Sequence, residues 1–317
     1  MADLPPIPLM MRTRLAHATL QAVADECGAD ILHIKGAAVD ASLSPQREGS
    51  PAGDNVEKRR LPRLSADADI LVRPAHLRRL ETALNRYGWQ RKTRLYSGGA
   101  VEHSVDWWHP ELGSADVHIR FPGIQLSADL AFAEFWRERR SIHIAHRPCK
   151  VPSLDAQRLV LLLHAARNGG AQSPDVAPSW TNATTMEQGR VRELAATLRA
   201  EVALAGATGH LDDYSDRPEY DLWRLLGLPD ADVFDLWVAM VRAAPTTLAR
   251  ARAILYAVRI KAERVELGLE RRATTIKVLR VQGSRLRRAG VGTLSVGVRW
   301  TTRLVARLRT RNHRASP

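Results

Sequence analysis

The sequence predicts an α+β fold: a mixed β-sheet with flanking helices, then a helical domain, then a basic helical C-terminal extension. Three observations carry this. Up to about residue 150, short apolar runs with strand periodicity are interleaved with stretches of helical periodicity. After Pro152 the helical period takes over. Finally, residues 250–317 hold 18 Lys+Arg against 3 Asp+Glu, whereas residues 1–249 hold 29 against 31, so the net charge of +13 belongs to the C-terminal segment. The expected units are therefore 12–150, 151–249 and 250–317.

The bulk composition excludes several classes. A chain of 317 residues with 45% hydrophobic and 26% charged content can bury a real core. Two cysteines, Cys27 and Cys149, are too few for a disulfide framework and fit a reducing, cytoplasmic setting. Prolines interrupt the short apolar stretch in MADLPPIPLMMRTRL, which does not read as a signal peptide. No run of 18 apolar residues is present, so no transmembrane segment is expected.

In chain order, residues 12–27 have helical spacing and Gly28 can end that helix. ILHI, 31–34, reads as a buried strand closing on Lys35 and Gly36. Residues 44–63 form a long polar loop, followed by a strand at 69–72 and a helix at 75–87 stopped by Gly88. Trp89–Leu95 and Gly99–Trp108 read as strands joined at SGG, and SADVHIRF, 114–121, alternates with period two. Phe132, Phe135 and Trp136 fall in a short helix, and SIHIA, 141–145, is a further strand. Helices follow at 155–168 and, after a Gly/Pro/Ser/Thr-rich loop, at about 187–205, 219–226, 230–242 and 246–269.

The strand at 69–72 is preceded by D-A-D. Residues i and i+2 of a strand share a face, so Asp67 and Asp69 converge. Two bare carboxylates so placed repel each other, and a divalent cation relieves the repulsion. Asp116 supplies a third carboxylate from another strand, sharing a face with His118 and Arg120. Three aspartates from two strands can hold two Mg²⁺ ions and a triphosphate, with Asp116 also placed to take a proton from an acceptor. A solvated turn is the other reading of D-x-D taken alone.

The ordered set resembles a known family. HIKGAAVDASL, then R-x-x-x-D-A-D-I-L-V from Arg63 to Val72, then D-V-H-I-R-F from Asp116 to Phe121, is similar to the uncharacterised nucleotidyltransferase family of the polymerase-beta-type superfamily. LLLHAARN around His164 resembles that family's helical half, and the similarity spans roughly residues 15–205. It implies a nucleotidyltransferase-type sheet within 12–150, metal binding at Asp67, Asp69 and Asp116, and triphosphate contact near Lys35 and Gly36. Ala37 follows Gly36 where the wider superfamily has Gly-Ser or Gly-Gly; a cradle of backbone N–H groups survives that change, but a serine contact does not.

Further candidates carry two readings each. Lys35 either neutralises a phosphate or is a solvated lysine; Arg63 pairs with an aspartate or phosphate, or lies at the surface; His118 contacts substrate or orients Asp116, or is a core histidine. His164 reads as packing rather than chemistry, and Trp107 and Trp108 as packing rather than base stacking. In the tail, Arg299, Arg303, Arg307 and Arg311 recur every four residues beside an apolar stripe. Such a helix can lie on an anionic membrane surface, grip nucleic acid, or pack on the body with its arginines in water. The expected activity is Mg²⁺-dependent transfer of an NMP from an NTP to a hydroxyl acceptor, which could be a small molecule, a peptide, a protein or an RNA end. The alternatives are a non-catalytic nucleotide- or partner-binding module with an anion-docking tail, and a tRNA-modifying toxin.

Overall fold

The computed structural model describes residues 7–44, 65–93, 104–228, 230–244 and 246–258. It opens with helix α1 (Leu9–Cys27), ended by Gly28 in the left-handed conformation. Five strands then build one sheet: β1 (Ile31–His33), β2 (Asp67–Val72), β3 (Gln90–Arg91), β4 (Ser104–His109) and β5 (Gly113–His118). Their order is β1-β2-β5-β4-β3. β2 and β5 run parallel and the other neighbours are antiparallel, which is the mixed sheet the sequence predicts. Helix α2 (Leu77–Arg86) lies between β2 and β3 in the chain.

Alternation along the strands gives the sheet two different faces. One buries Ile31, Ile70, Val105, Trp107 and Val117 against Leu20 of α1 and Leu80 of α2. Trp107 is therefore a core residue, as the sequence suggests. The opposite face carries Leu32 and Leu71 into a second core shared with the helical half. That half begins with α3 (Ala128–Arg137), the hairpin β6 (Arg140–Ile144) and β7 (Arg147–Val151), and the buried helix α4 (Leu154–Arg167). Around α4 stand α5 (Thr185–Thr197), α6 (Glu201–Thr208) and α7 (Tyr220–Leu226), followed by α8 (Val233–Ala243) and α9 (Thr247–Val258). One continuous core joins Leu32 and Leu71 of the sheet to Leu159 and Leu163 of α4 and Trp223 of α7.

Several elements differ from the sequence expectation. The strand expected over 114–121 ends at His118, so Arg120 leaves the sheet and is exposed rather than sharing a strand face with Asp116. The single helix expected at 187–205 is two, parted where Arg199 takes φ 53°, a break that no glycine announces. The strand expected over Trp89–Leu95 is only Gln90–Arg91 within the described residues. The long loop at 45–64, with Arg63, and the basic tail from 259 onward lie outside the described residues. Among the described residues no helix is long and apolar enough to cross a membrane.

Candidate active site

Strand alternation sends Asp67 and Asp69 to the sheet face that looks toward α4. Register does the rest. Asp69 stands beside Asp116, and Asp116 beside Asp106 of β4. Three carboxylates thus form a row across three adjacent strands, with Asp67 two residues along β2. Below the row, Lys92 donates its backbone N–H to the Asp106 carbonyl at 2.8 Å, and Asp106 donates its own to Thr93 Oγ1 at 2.9 Å. These bonds fix the outer end of the row.

These residues line a cleft of about 470 Å³. Its sheet wall also holds Lys35, Gly36 and Ser65; its helical wall is His164, Arg167 and Asn168 of α4 and the residue that follows it. The sequence reading did not single out Asp106 and Arg167, and His164, read there as packing, lines the cleft despite the leucines around it. The i, i+3, i+4 spacing of His164, Arg167 and Asn168 was the available signal, because it places three polar groups on one face of an otherwise buried helix.

The charges are tightly arranged. Asp69 is buried, and two donors reach it: Lys35 Nζ at 2.5 Å and His118 Nε2 at 2.8 Å. Both meet Oδ1, so the carboxylate's other oxygen takes part in neither bond. Burial alone would raise the Asp69 pKa, but the His118 hydrogen bond and the Lys35 charge bring it down to about 2. His118 is fully buried, which lowers its own pKa against the pull of Asp69; the neutral ring then carries its proton on Nε2 and donates it. His118 therefore orients Asp69 from beneath. Asp116 is the opposite case: burial, then Asp69, Asp106 and Asp67, push its carboxyl up to about 8. Asp67 accepts from the Ser65 hydroxyl at its carbonyl and carboxylate oxygens, 2.8 and 3.0 Å away.

The turn after β1 is strained. Lys35 has φ 62° and ψ 177°, a region almost confined to glycine that costs about 1–3 kcal/mol for other residues. That conformation brings its ammonium to Asp69. Gly36 follows at φ 52°, and a Cβ there would fall 2.9 Å from the Ser65 Cβ, so both conformation and space call for glycine. The hairpin β6–β7 braces this turn by packing Ile144, Cys149 and Val151 on Ala38. Gln157 of α4 ties the turn to the helical half by accepting the Asp40 backbone N–H at 2.8 Å.

Ligand atoms of Asp69, Asp116 and His118 lie within 4.8 Å of one another. Because His118 spends its Nε2 proton on Asp69, the oxygen donors of Asp69, Asp116 and nearby Asp67 are the set that suits a hard divalent cation.

Residues 61–214 match the model of a family described as uncharacterised nucleotidyltransferase. This stretch belongs to that family. The nucleotidyltransferase stretch contains Asp67, Asp69, Asp106, Asp116 and Arg167, while Lys35 and Gly36 precede it. The chain is thus an enzyme of the nucleotidyltransferase type. Solved structures similar to this nucleotidyltransferase include the antibiotic-resistance factor ANT(2'')-Ia, at 15% identity and TM-score 0.33, covering 66% of this chain and 96% of that one. Lincosamide antibiotic adenylyltransferase LnuA, lincomycin-bound, matches at 15% identity and TM-score 0.32, covering 57% and 94%. An antigenic nucleotidyltransferase-like protein from Paracoccidioides brasiliensis matches at 14% identity and TM-score 0.34, covering 64% and 95%. No curated protein matches the chain.

Proposed function

We propose that this nucleotidyltransferase moves an NMP from an NTP to a hydroxyl acceptor in a Mg²⁺-dependent reaction that releases pyrophosphate. The observation that carries this reading is the register of Asp69 against Asp116 in adjacent parallel strands, with the ammonium of Lys35, from the turn after β1, against Asp69. Asp67, Asp69 and Asp116 would hold two Mg²⁺ ions. The metal, when bound, supplies charge neutralisation for the phosphates and makes the acceptor hydroxyl more acidic.

The chain's own residues do the remainder. Lys35 would leave Asp69 for a phosphate oxygen, and Gly36 would let the backbone of the turn approach the same chain of phosphates. The acceptor oxygen bonds to the α-phosphorus as the bond to the pyrophosphate oxygen breaks, and Asp116 takes the acceptor proton. His118 holds Asp69 in place throughout. α4 forms the opposite wall, and the acceptor would enter between it and the sheet.

The test uses α-labelled ATP, GTP, CTP and UTP with Mg²⁺ and host extract, comparing wild type with Asp69→Asn. Label in a protein, RNA or small-molecule fraction, present only with wild type, supports the reading and names the acceptor class. Equal labelling by both proteins in every fraction overturns it.

A further inference from the structure

Arg167 closes α4, and its side chain lines the cleft opposite the sheet. Its setting is unusual for a surface cation. Burial lowers its pKa, while Asp116 across the cleft holds the charge in place. Among the described residues lining the cleft, Lys35 and Arg167 are the permanent cations, one on each wall. The helix end also favours a cation, because the last carbonyls of α4 point the same way.

Charge balance makes the pair informative. Four carboxylates already crowd the cleft: Asp67, Asp69, Asp106 and Asp116. A triphosphate adds several more negative charges to the same space, and the metals are shared between the two sets. Cations on both walls are then needed to hold the phosphate chain, and a guanidinium can offer two parallel N–H donors to it where an ammonium offers a point charge. We propose that Arg167 grips the phosphate chain of the NTP from the helical wall, opposite Lys35, as a substrate-contacting residue. This rests on the nucleotidyltransferase reading given above.

The probe is inorganic tripolyphosphate with Mg²⁺, which removes the unknown base from the problem; titration calorimetry compares wild type, Arg167→Gln and Arg167→Lys. Wild type is expected to bind, Arg167→Gln to bind roughly tenfold or more weakly, and Arg167→Lys to fall between them. Mg²⁺ alone, titrated into the same proteins, is expected to bind Arg167→Gln at least as well as wild type, because a competing cation has been removed. Unchanged tripolyphosphate affinity in Arg167→Gln overturns the proposal, and so does an equal loss of both ligands, which would mark a collapsed site. If Arg167→Gln does not fold, the Arg167→Lys comparison decides by the same signs. Failure of wild type to bind tripolyphosphate or any of the four Mg²⁺–NTPs overturns the nucleotidyltransferase reading together with this one, whereas binding by wild type with no effect of Arg167 overturns this one alone.

Discussion

Lys35 Nζ lies 2.5 Å from Asp69 Oδ1, so the cation of the turn after β1 rests on a carboxylate of the candidate metal site. The ammonium therefore competes with a metal ion for Asp69 when no nucleotide is present. In the proposed reaction a phosphate would offer it a better partner and release it. Lys35→Met is expected to bind Mg²⁺ alone more tightly than wild type, yet to raise the KM for NTP roughly tenfold. Titration of Mg²⁺ and steady-state kinetics check the two signs separately, and weaker binding of both ligands would show that Lys35 merely stabilises the turn.

His118 acts one layer below the cleft. It is fully buried and spends its Nε2 proton on Asp69. Groups that orient a metal ligand typically contribute about 10–100-fold in affinity or activity. His118→Phe keeps the bulk but removes the donor, so kcat/KM is expected to fall within that range while Asp69→Asn falls much further. Losses of equal size in the two variants would mean that His118 touches the reacting groups itself.

Much of this site was legible before the fold, and the rest was not for a definable reason. D-A-D at Asp67 and Asp69 declares a shared face because strand period is two. Asp116 is found the same way on its own strand. Asp106 is different: it sits in SVDWWH, where the tryptophans dominate, and nothing local says that it will stand beside Asp116. Only the antiparallel register of β4 on β5 does so. His164 and Arg167 are hidden by the leucines of α4, which announce packing; the cleft appears only once that helix is laid against the sheet. The salt link between Lys35 and Asp69 depends on a backbone conformation that no rule assigns to lysine.

Asp106 consequently offers a test of the row itself. It raises the carboxyl pKa of Asp116 after burial and Asp69, so it adds repulsion to the folded, metal-free protein. Asp106→Asn removes that charge and keeps the shape. The metal-free variant is expected to melt at a slightly higher temperature than wild type, while NMP transfer falls by roughly 10-fold or more. Loss of stability with unchanged turnover would show that Asp106 serves the sheet and not the site.

On the far face of the sheet, His17 and His33 set an acid limit on stability. Their Nδ1 atoms lie 2.8 Å apart, and His33 Nε2 lies 3.1 Å from Gln21 Oε1. Gln21 donates its amide to Asp25 at 2.7 Å, which turns Oε1 toward His33. His33 therefore carries its proton on Nε2 and accepts at Nδ1 from His17, an arrangement that requires the His33 ring to be neutral. Burial drives the His17 pKa down to about 4 and that of His33 well below its usual value, His17 adding to the second effect. In the unfolded chain both protonate near pH 6.5. The unfolded state thus binds more protons below that pH, and the contribution to stability, complete above it, is lost as pH falls toward the folded pKa. For His17 the loss from about pH 7 to about pH 5 is roughly 2 kcal/mol. His118 and His164 share this sign, and Asp116, with its raised pKa, has the opposite one. Urea unfolding of wild type against a His17→Leu/His33→Leu double variant, at both pH values, cancels those shared terms. The double variant is expected to lose less stability on acidification than wild type does; equal losses would mean that the pair is not buried in the neutral form.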